Sequence, residues 1–139
     1  ALLQRVGSLL AAEVPRERRG IDGISMGGRL ALQIAIARPE VFATVGAMQP
    51  AVSVDEAGDL ASAIAAAHAR SPFTLRLVSS KDDPFLEAVR ALDAALAHRS
   101  IPHLFIVTPG PHDYAWNRGP GAAELLMFHE RALRGLTPP

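Results

Sequence analysis

Short apolar segments alternate with longer helix-like segments along most of this chain of 139 residues. The short segments are rich in β-branched and aromatic side chains, as strands are, and the longer ones have apolar residues at helical spacing. Parallel strands joined by helices need right-handed crossovers, which place helices on both faces of the sheet. The pattern therefore predicts an α/β fold with a three-layer parallel sheet. The predicted strands are Ile21–Ser25, Val41–Met48, Phe73–Ser79 and His103–Thr108.

The predicted helices begin and end at recognisable signals. Pro39 closes the helix that follows the first strand, and Pro120 occupies a tolerated first-turn position in the last helix. Ser53 precedes Glu56 by three residues, which is the spacing of a capping box. No repeat or linker divides the chain, so a single domain over residues 1–139 is expected. The predicted helices cover residues 1–14, 26–37, 53–69, 84–98 and 120–135.

Composition excludes several classes of partner and chemistry. Lys plus Arg and Asp plus Glu number 14 each, so no net positive field would attract a nucleic acid. No apolar run reaches the roughly 20 residues of a membrane span, so no membrane association is expected. The absence of cysteine excludes disulfides, thiolate catalysis and cysteine-ligated zinc, and it leaves the cellular compartment undecided.

One serine lies between glycines where the first predicted strand meets the following helix. The sequence Gly23-Ile24-Ser25-Met26-Gly27 fits the pattern GxSxG. A serine on so sharp a turn requires small residues two positions before and after it, because those positions approach each other closely. Similar clusters occur in many turns, so the motif alone leaves two interpretations. Ser25 is either a nucleophile or a small residue in a tight corner.

A serine nucleophile needs a histidine to take its proton and a carboxylate to orient that histidine. Among the five histidines, His112 lies in the loop that directly follows the last predicted strand, so it should reach the same sheet edge as Ser25. Asp82 and Asp83 follow the preceding strand. Asp83 is favoured over Asp82 because a residue at a helix entrance is firmly held, although it also fits a helix N-cap before Pro84.

Three stretches of sequence carry a specific resemblance. "IDGISMGGRLAL", "ARPEVFATVGAM" and "PGPHDYAWNRG" are similar to the "Putative esterase" branch of the α/β-hydrolase superfamily, which includes esterase D-like, feruloyl esterase-like and enterochelin esterase-like proteins. The order serine, aspartate, histidine is also that of the α/β-hydrolases. The resemblance implies Ser25 as nucleophile, Asp83 as orienting acid and His112 as base. It also implies the Met26 N–H as one oxyanion donor, and Trp116 follows the histidine as in many members.

The loop after the candidate histidine offers contacts to a substrate. Tyr114 and Trp116, with Asp113 and Asn117, either line an acyl or aromatic pocket or pack against the last helix. Both interpretations remain open. Tyr114 and Trp116 are retained as candidate substrate-binding residues.

No cofactor or metal is expected at this site. The glycines around Ser25 do not match the GxGxxG of dinucleotide sites. His103, His112 and Asp113 have no recognised metal-ligand spacing. The charges of Arg29 and Arg118 fit surface or structural roles, with anion binding as the alternative.

The predicted activity is hydrolysis of a small-molecule carboxylic ester through an acyl-enzyme intermediate. Two alternatives remain, namely acyl transfer to another alcohol and a noncatalytic fragment or assembly module. The fold resembled normally has further strands before the nucleophile strand, and its second oxyanion donor belongs to that earlier half. We therefore expect this chain to correspond to the C-terminal half of such a fold. The strand Ile21–Ser25 would then offer an open edge to a missing N-terminal segment or to a second copy of the chain.

Overall fold

A computed structural model of the chain describes residues 2–10 and 14–136 and contains one sheet of four parallel strands. Each strand lies beside its sequence neighbours, in the order β1-β2-β3-β4. The predicted α/β class and parallel pairing are confirmed. The strands are β1 (Gly20–Ile21), β2 (Thr44–Met48), β3 (Thr74–Asp82) and β4 (Leu104–Pro111).

Helices connect the strands and follow the last one. None of the described helices is both long and apolar enough to cross a lipid bilayer. Residues 1 and 11–13 of the first predicted helix lie outside the described residues. The α-helices are α1 (Leu2–Leu10), α2 (Met26–Ala37), α3 (Ala57–Arg70), α4 (Leu86–His98), α5 (Tyr114–Trp116) and α6 (Ala122–Leu133).

The sheet separates two apolar clusters because successive strand residues point to opposite faces. On one face, Val45 and Leu77 belong to the main core, together with buried residues of α2, α3 and α4. On the other face, Met48 and Val78 pack with Trp116, and α6 contributes a partly buried leucine. The helices therefore cover both faces, as the crossover rule requires.

The first strand is shorter than the sequence predicted. Regular pairing to β2 covers only Gly20–Ile21, and Ile24 adds one isolated bridge to Met48. Ser25 already lies in the turn that leads into α2. The difference follows from the turn itself, because a serine that leaves the strand sharply cannot continue the ladder.

Three helices also begin later than predicted, and α4 begins at Leu86 instead of Pro84. The α3 helix begins at Ala57, although the Glu56 carboxylate accepts a hydrogen bond from the Ser53 N–H at 3.0 Å, which is one half of the expected capping box. The same carboxylate is also bound by Arg29, at 2.6 Å. The last helix, α6, is preceded by a π-helical turn over Asn117–Gly121 that contains the proline predicted to open it.

Candidate active site

Ser25 has a backbone conformation that few residues other than glycine adopt. Its φ is 57° and its ψ is −118°. Such a conformation persists only where the surroundings fix it. The Ser25 N–H donates to the Met48 carbonyl at 2.9 Å, and the Ser25 carbonyl accepts from the Ala51 N–H at 3.0 Å. The end of β2 and the segment after it thus hold the serine in a strained turn, the conformation that the serine of a GxSxG motif requires.

The glycines around Ser25 have different roles. A Cβ on Gly23 would lie 2.2 Å from the Gly27 carbonyl oxygen, so position 23 admits only glycine. A Cβ on Gly27 would meet nothing within 4 Å. The predicted need for small residues on both sides is therefore confirmed for Gly23 and wrong for Gly27. At Gly28, a Cβ would lie 3.1 Å from the Met48 carbonyl oxygen, which shows how closely α2 approaches β2.

His112 forms a hydrogen bond with Asp83. Its Nδ1 lies 2.8 Å from Asp83 Oδ1, and the Asp83 side chain is fully buried while the imidazole is 19% exposed. The carboxylate also accepts from the Ser79 hydroxyl at 2.6 Å and from the Phe85 N–H at 3.0 Å. Because a carboxylate can only accept here, Nδ1 carries the proton and Nε2 is left to accept one.

The sheet register explains why Asp83, and not Asp82, meets the histidine. Asp82 is the last residue of β3 and pairs with Pro111, the last residue of β4. The residues that follow, Asp83 and His112, therefore leave the sheet side by side. Asp82 is exposed, whereas Asp83 is buried and faces His112.

Ser25 and His112 border one open pocket of about 510 Å³. Within the described ranges, the Ser25 hydroxyl makes no hydrogen bond to His112, and such contacts often tighten only when substrate is bound. Met26 is the first residue of α2, where a backbone N–H has no intrahelical acceptor, so it could donate to an oxyanion. The pocket is lined by Ile24, Ser25, His112, Asp113, Tyr114, Asn117 and Arg118.

The two aromatic candidates occupy different places. Tyr114 is 70% exposed and lines the pocket. Trp116 is 7% exposed and packs in the core, where its indole N–H donates to the Pro109 carbonyl at 2.9 Å. The pocket wall thus contains Tyr114 but not Trp116. This position agrees with the second of the two interpretations, packing with the last helix, because Trp116 shares its apolar cluster with Leu125 of α6 and the close approach of Gly110 admits the indole beneath the loop.

Gln49 is a residue of this region that sequence reasoning missed. It is fully buried, has a φ of 44°, and its Nε2 donates to Ser80 Oγ at 2.7 Å and to the Pro111 carbonyl at 3.0 Å. It follows Met48, which binds the Ser25 turn, and its amide holds the residue that precedes His112. Its position directly after an apolar strand was the only available signal.

A second buried polar cluster lies on the α6 face of the sheet. Arg76 is fully buried and binds Asp22 Oδ2 at 2.9 Å and the Glu124 carboxylate at 3.3 Å. His129 Nε2 lies 3.0 Å from the same Asp22 oxygen. A Cβ on Gly46 would overlap Asp22, so glycine is required at position 46 to admit that carboxylate.

Comparison with known proteins gives matches in sequence family and in fold. The Esterase family, described as "Putative esterase", matches residues 1–119, a range that includes Ser25, Asp83 and His112. A search of curated proteins found no match.

Several solved structures share the fold. A ferulic acid esterase has a TM-score of 0.76 at 19% identity, over 95% of this chain and 58% of that one. The S-formylglutathione hydrolase FrmB of Staphylococcus aureus has a TM-score of 0.74 at 19% identity, over 95% of this chain and 61% of that one. The enterobactin esterase FES of Shigella flexneri has a TM-score of 0.70 at 20% identity, over 94% of this chain and 36% of that one. This chain therefore spans less than two thirds of these structures, and by its sequence match it belongs to the Esterase family.

Proposed function

We propose that this chain supplies the nucleophile, orienting acid and general base of a serine-dependent carboxylesterase. The observation that carries the proposal is the Asp83–His112 hydrogen bond on the pocket that Ser25 also lines, together with the positive φ of Ser25. Membership of the Esterase family and the likeness in fold to esterases support it.

The first half of the proposed reaction acylates the serine. Ser25 Oγ attacks the carbonyl carbon of the ester, its proton passes to His112 Nε2, and the carbonyl oxygen becomes an oxyanion. Asp83 keeps the proton of the imidazole on Nδ1 and stabilises the imidazolium. The Met26 N–H, at the positive end of α2, donates to the oxyanion. The C–O bond of the ester then breaks, and His112 gives its proton to the departing alcohol.

The second half releases the acyl group. Water loses a proton to His112 and attacks the acyl carbon, after which Ser25 Oγ leaves and regains a proton from the imidazolium. The products are the free acid and the regenerated serine. If another alcohol replaces water, the same residues transfer the acyl group instead of hydrolysing it.

Turnover of p-nitrophenyl butyrate by the purified chain tests this proposal. We expect hydrolysis that is lost in both Ser25→Ala and His112→Ala. Matched controls are Ser53→Ala and His98→Ala, which change exposed residues away from the pocket and should retain the wild-type rate. Hydrolysis that survives in Ser25→Ala would contradict the proposal.

A noncatalytic module is the competing function. The chain spans 58% of the ferulic acid esterase. In the fold that the sequence resembles, the second oxyanion donor belongs to the earlier half. Loss of one such donor typically removes about 3 kcal/mol of transition-state stabilisation. A folded chain whose turnover equals that of Ser25→Ala would favour the module over the enzyme. Circular dichroism of both samples establishes that they are folded.

We also propose that the free edge of β1 pairs with a further strand. Within the described residues, β1 is one of the two edge strands of the sheet and pairs only with β2. Unpaired N–H and C=O groups at a sheet edge favour strand addition. A second copy of the chain would give a dimer in light scattering, whereas a monomer would favour a separate segment as the partner.

A further inference from the structure

The pocket beside Ser25 has one arginine in its wall. Arg118 lies in the π-helical turn that follows α5, and its side chain borders the same pocket as Ser25 and His112. Arginine remains charged at any pH at which the protein is folded. The wall therefore carries a permanent positive charge next to the candidate nucleophile and base.

Tyr114 contacts this arginine, and both residues are exposed. The guanidinium carbon of Arg118 lies 4.1 Å from the centre of the Tyr114 ring, and Nη2 donates to the tyrosine hydroxyl at 2.8 Å. Both contacts are made to a neutral group. Stacking and the hydrogen bond restrain the side chain while leaving its charge uncompensated.

Arg118 differs in this respect from several other arginines of the described chain. Arg29 and Arg76 bind carboxylates, and Arg16 donates to main-chain carbonyls. Within residues 2–10 and 14–136, Arg118 has no carboxylate within 4 Å and donates to no main-chain carbonyl. Most of its five N–H donors are therefore available to a ligand.

Asp113 is the acidic residue of the pocket wall, and its side chain has a structural partner. Asp113 Oδ1 accepts from the Trp116 N–H at 2.8 Å, as the N-cap of α5. An asparagine could keep this hydrogen bond and would remove the negative charge. The two wall charges can thus be changed separately.

We propose that Arg118, held by Tyr114, binds a carboxylate carried by the substrate, so that the site selects esters with an anionic group. This inference rests on the proposed esterase function and adds the class of substrate. A guanidinium and a carboxylate form two parallel hydrogen bonds, which makes arginine suited to this role. Because the pair lies in an open pocket, salt should weaken it.

Two p-nitrophenyl esters of matched length test the inference by turnover. Mono-p-nitrophenyl adipate carries a terminal carboxylate, and p-nitrophenyl hexanoate carries a methyl group in its place. We expect Arg118→Gln to lower the ratio of kcat/KM for the adipate to that for the hexanoate by about tenfold, mainly through KM. Asp113→Asn should raise the ratio. Arg90→Gln, an exposed arginine on α4 outside the pocket, should leave it unchanged.

Binding without turnover separates this inference from the proposed function. Titration calorimetry with Ser25→Ala should show binding of the adipate monoester that weakens about tenfold when Arg118→Gln is added, and that weakens in 1 M salt. A ratio and a binding constant that Arg118→Gln leaves unchanged would overturn the inference, whatever the turnover. Binding that depends on Arg118 in a chain without hydrolysis would uphold the anion site and contradict the esterase.

Discussion

Two of the three aspartate–histidine pairs among the described residues have similar lengths and different surroundings. Asp83 and His112 are 2.8 Å apart, and Asp22 and His129 are 3.0 Å apart. The Asp22 oxygen is shared with a fully buried arginine, Arg76, whereas Asp83 has only neutral donors besides the histidine. The carboxylate of Asp83 is therefore available to stabilise an imidazolium, and that of Asp22 is already neutralised.

The two histidines also use opposite nitrogens. His112 binds its aspartate through Nδ1, so Nε2 remains for a reacting proton. His129 binds Asp22 through Nε2. An aspartate–histidine hydrogen bond is thus not a catalytic signature by itself. The Asp83–His112 pair differs by its position at the carboxyl edge of the sheet, on the pocket that Ser25 also lines, and this position is the basis of the proposed triad.

The largest expected effect concerns the acid of the proposed triad. Asp83→Asn should lower kcat about 10⁴-fold, because an amide no longer fixes the productive tautomer of His112. The measurement is the kcat of ester hydrolysis. Asp93→Asn is the matched control, since Asp93 forms a third such pair with His103 at 2.8 Å, outside the pocket. Equal losses in the two variants would remove the distinction between the pairs.

The next largest effect concerns Arg76 in the buried polar cluster and is a loss of stability. Arg76→Met should lower the free energy of unfolding by about 3–5 kcal/mol, because the buried Asp22 carboxylate loses its main counter-charge. Urea denaturation measures this loss. Adding Asp22→Asn to Arg76→Met should restore part of it. A double variant no more stable than the single one would show that the charge pair is not the cause.

Substitution of Gln49 should have a smaller effect, which concerns both kcat and the free energy of unfolding. Gln49→Leu removes the hydrogen bonds to Ser80 and Pro111, which should cost about 1–3 kcal/mol of unfolding free energy. Since Pro111 precedes His112, kcat should fall while KM changes little. Denaturation and steady-state kinetics on one sample test both parts. A loss of stability with unchanged kcat would confine Gln49 to a structural role.

The smallest effect concerns an ion pair nearer the surface. Hydrogen bonding to Arg29 lowers the pKa of Glu56 below its ordinary value. A lowered pKa in the folded state contributes stability above the ordinary pKa, and this contribution is lost as the pH falls through the folded value. Glu56→Gln should therefore cost at most about 1 kcal/mol at pH 7 and less in acid. An equal cost at pH 7 and pH 3 would contradict this assignment.

Local patterns predicted the fold and the edge of the sheet on which the site lies. The bounds of α2 follow directly from its apolar run, and parallel strands place the residues after β3 and β4 together, which brought Asp83 and His112 into one hypothesis. The buried cluster could not be predicted, because Asp22 and His129 are 107 positions apart and neither has a local signal. The burial of Trp116 likewise depends on Gly110, which admits the indole beneath the loop.

Covalent labelling with a fluorophosphonate tests the central claim most directly. Attack of Ser25 Oγ on phosphorus releases fluoride and leaves a stable adduct, which mass spectrometry locates without knowledge of the substrate. We expect one adduct on Ser25, formed at a rate that falls at least about 10³-fold in His112→Ala. Labelling of Ser25 at the same rate in His112→Ala, or labelling at another serine, would contradict the account.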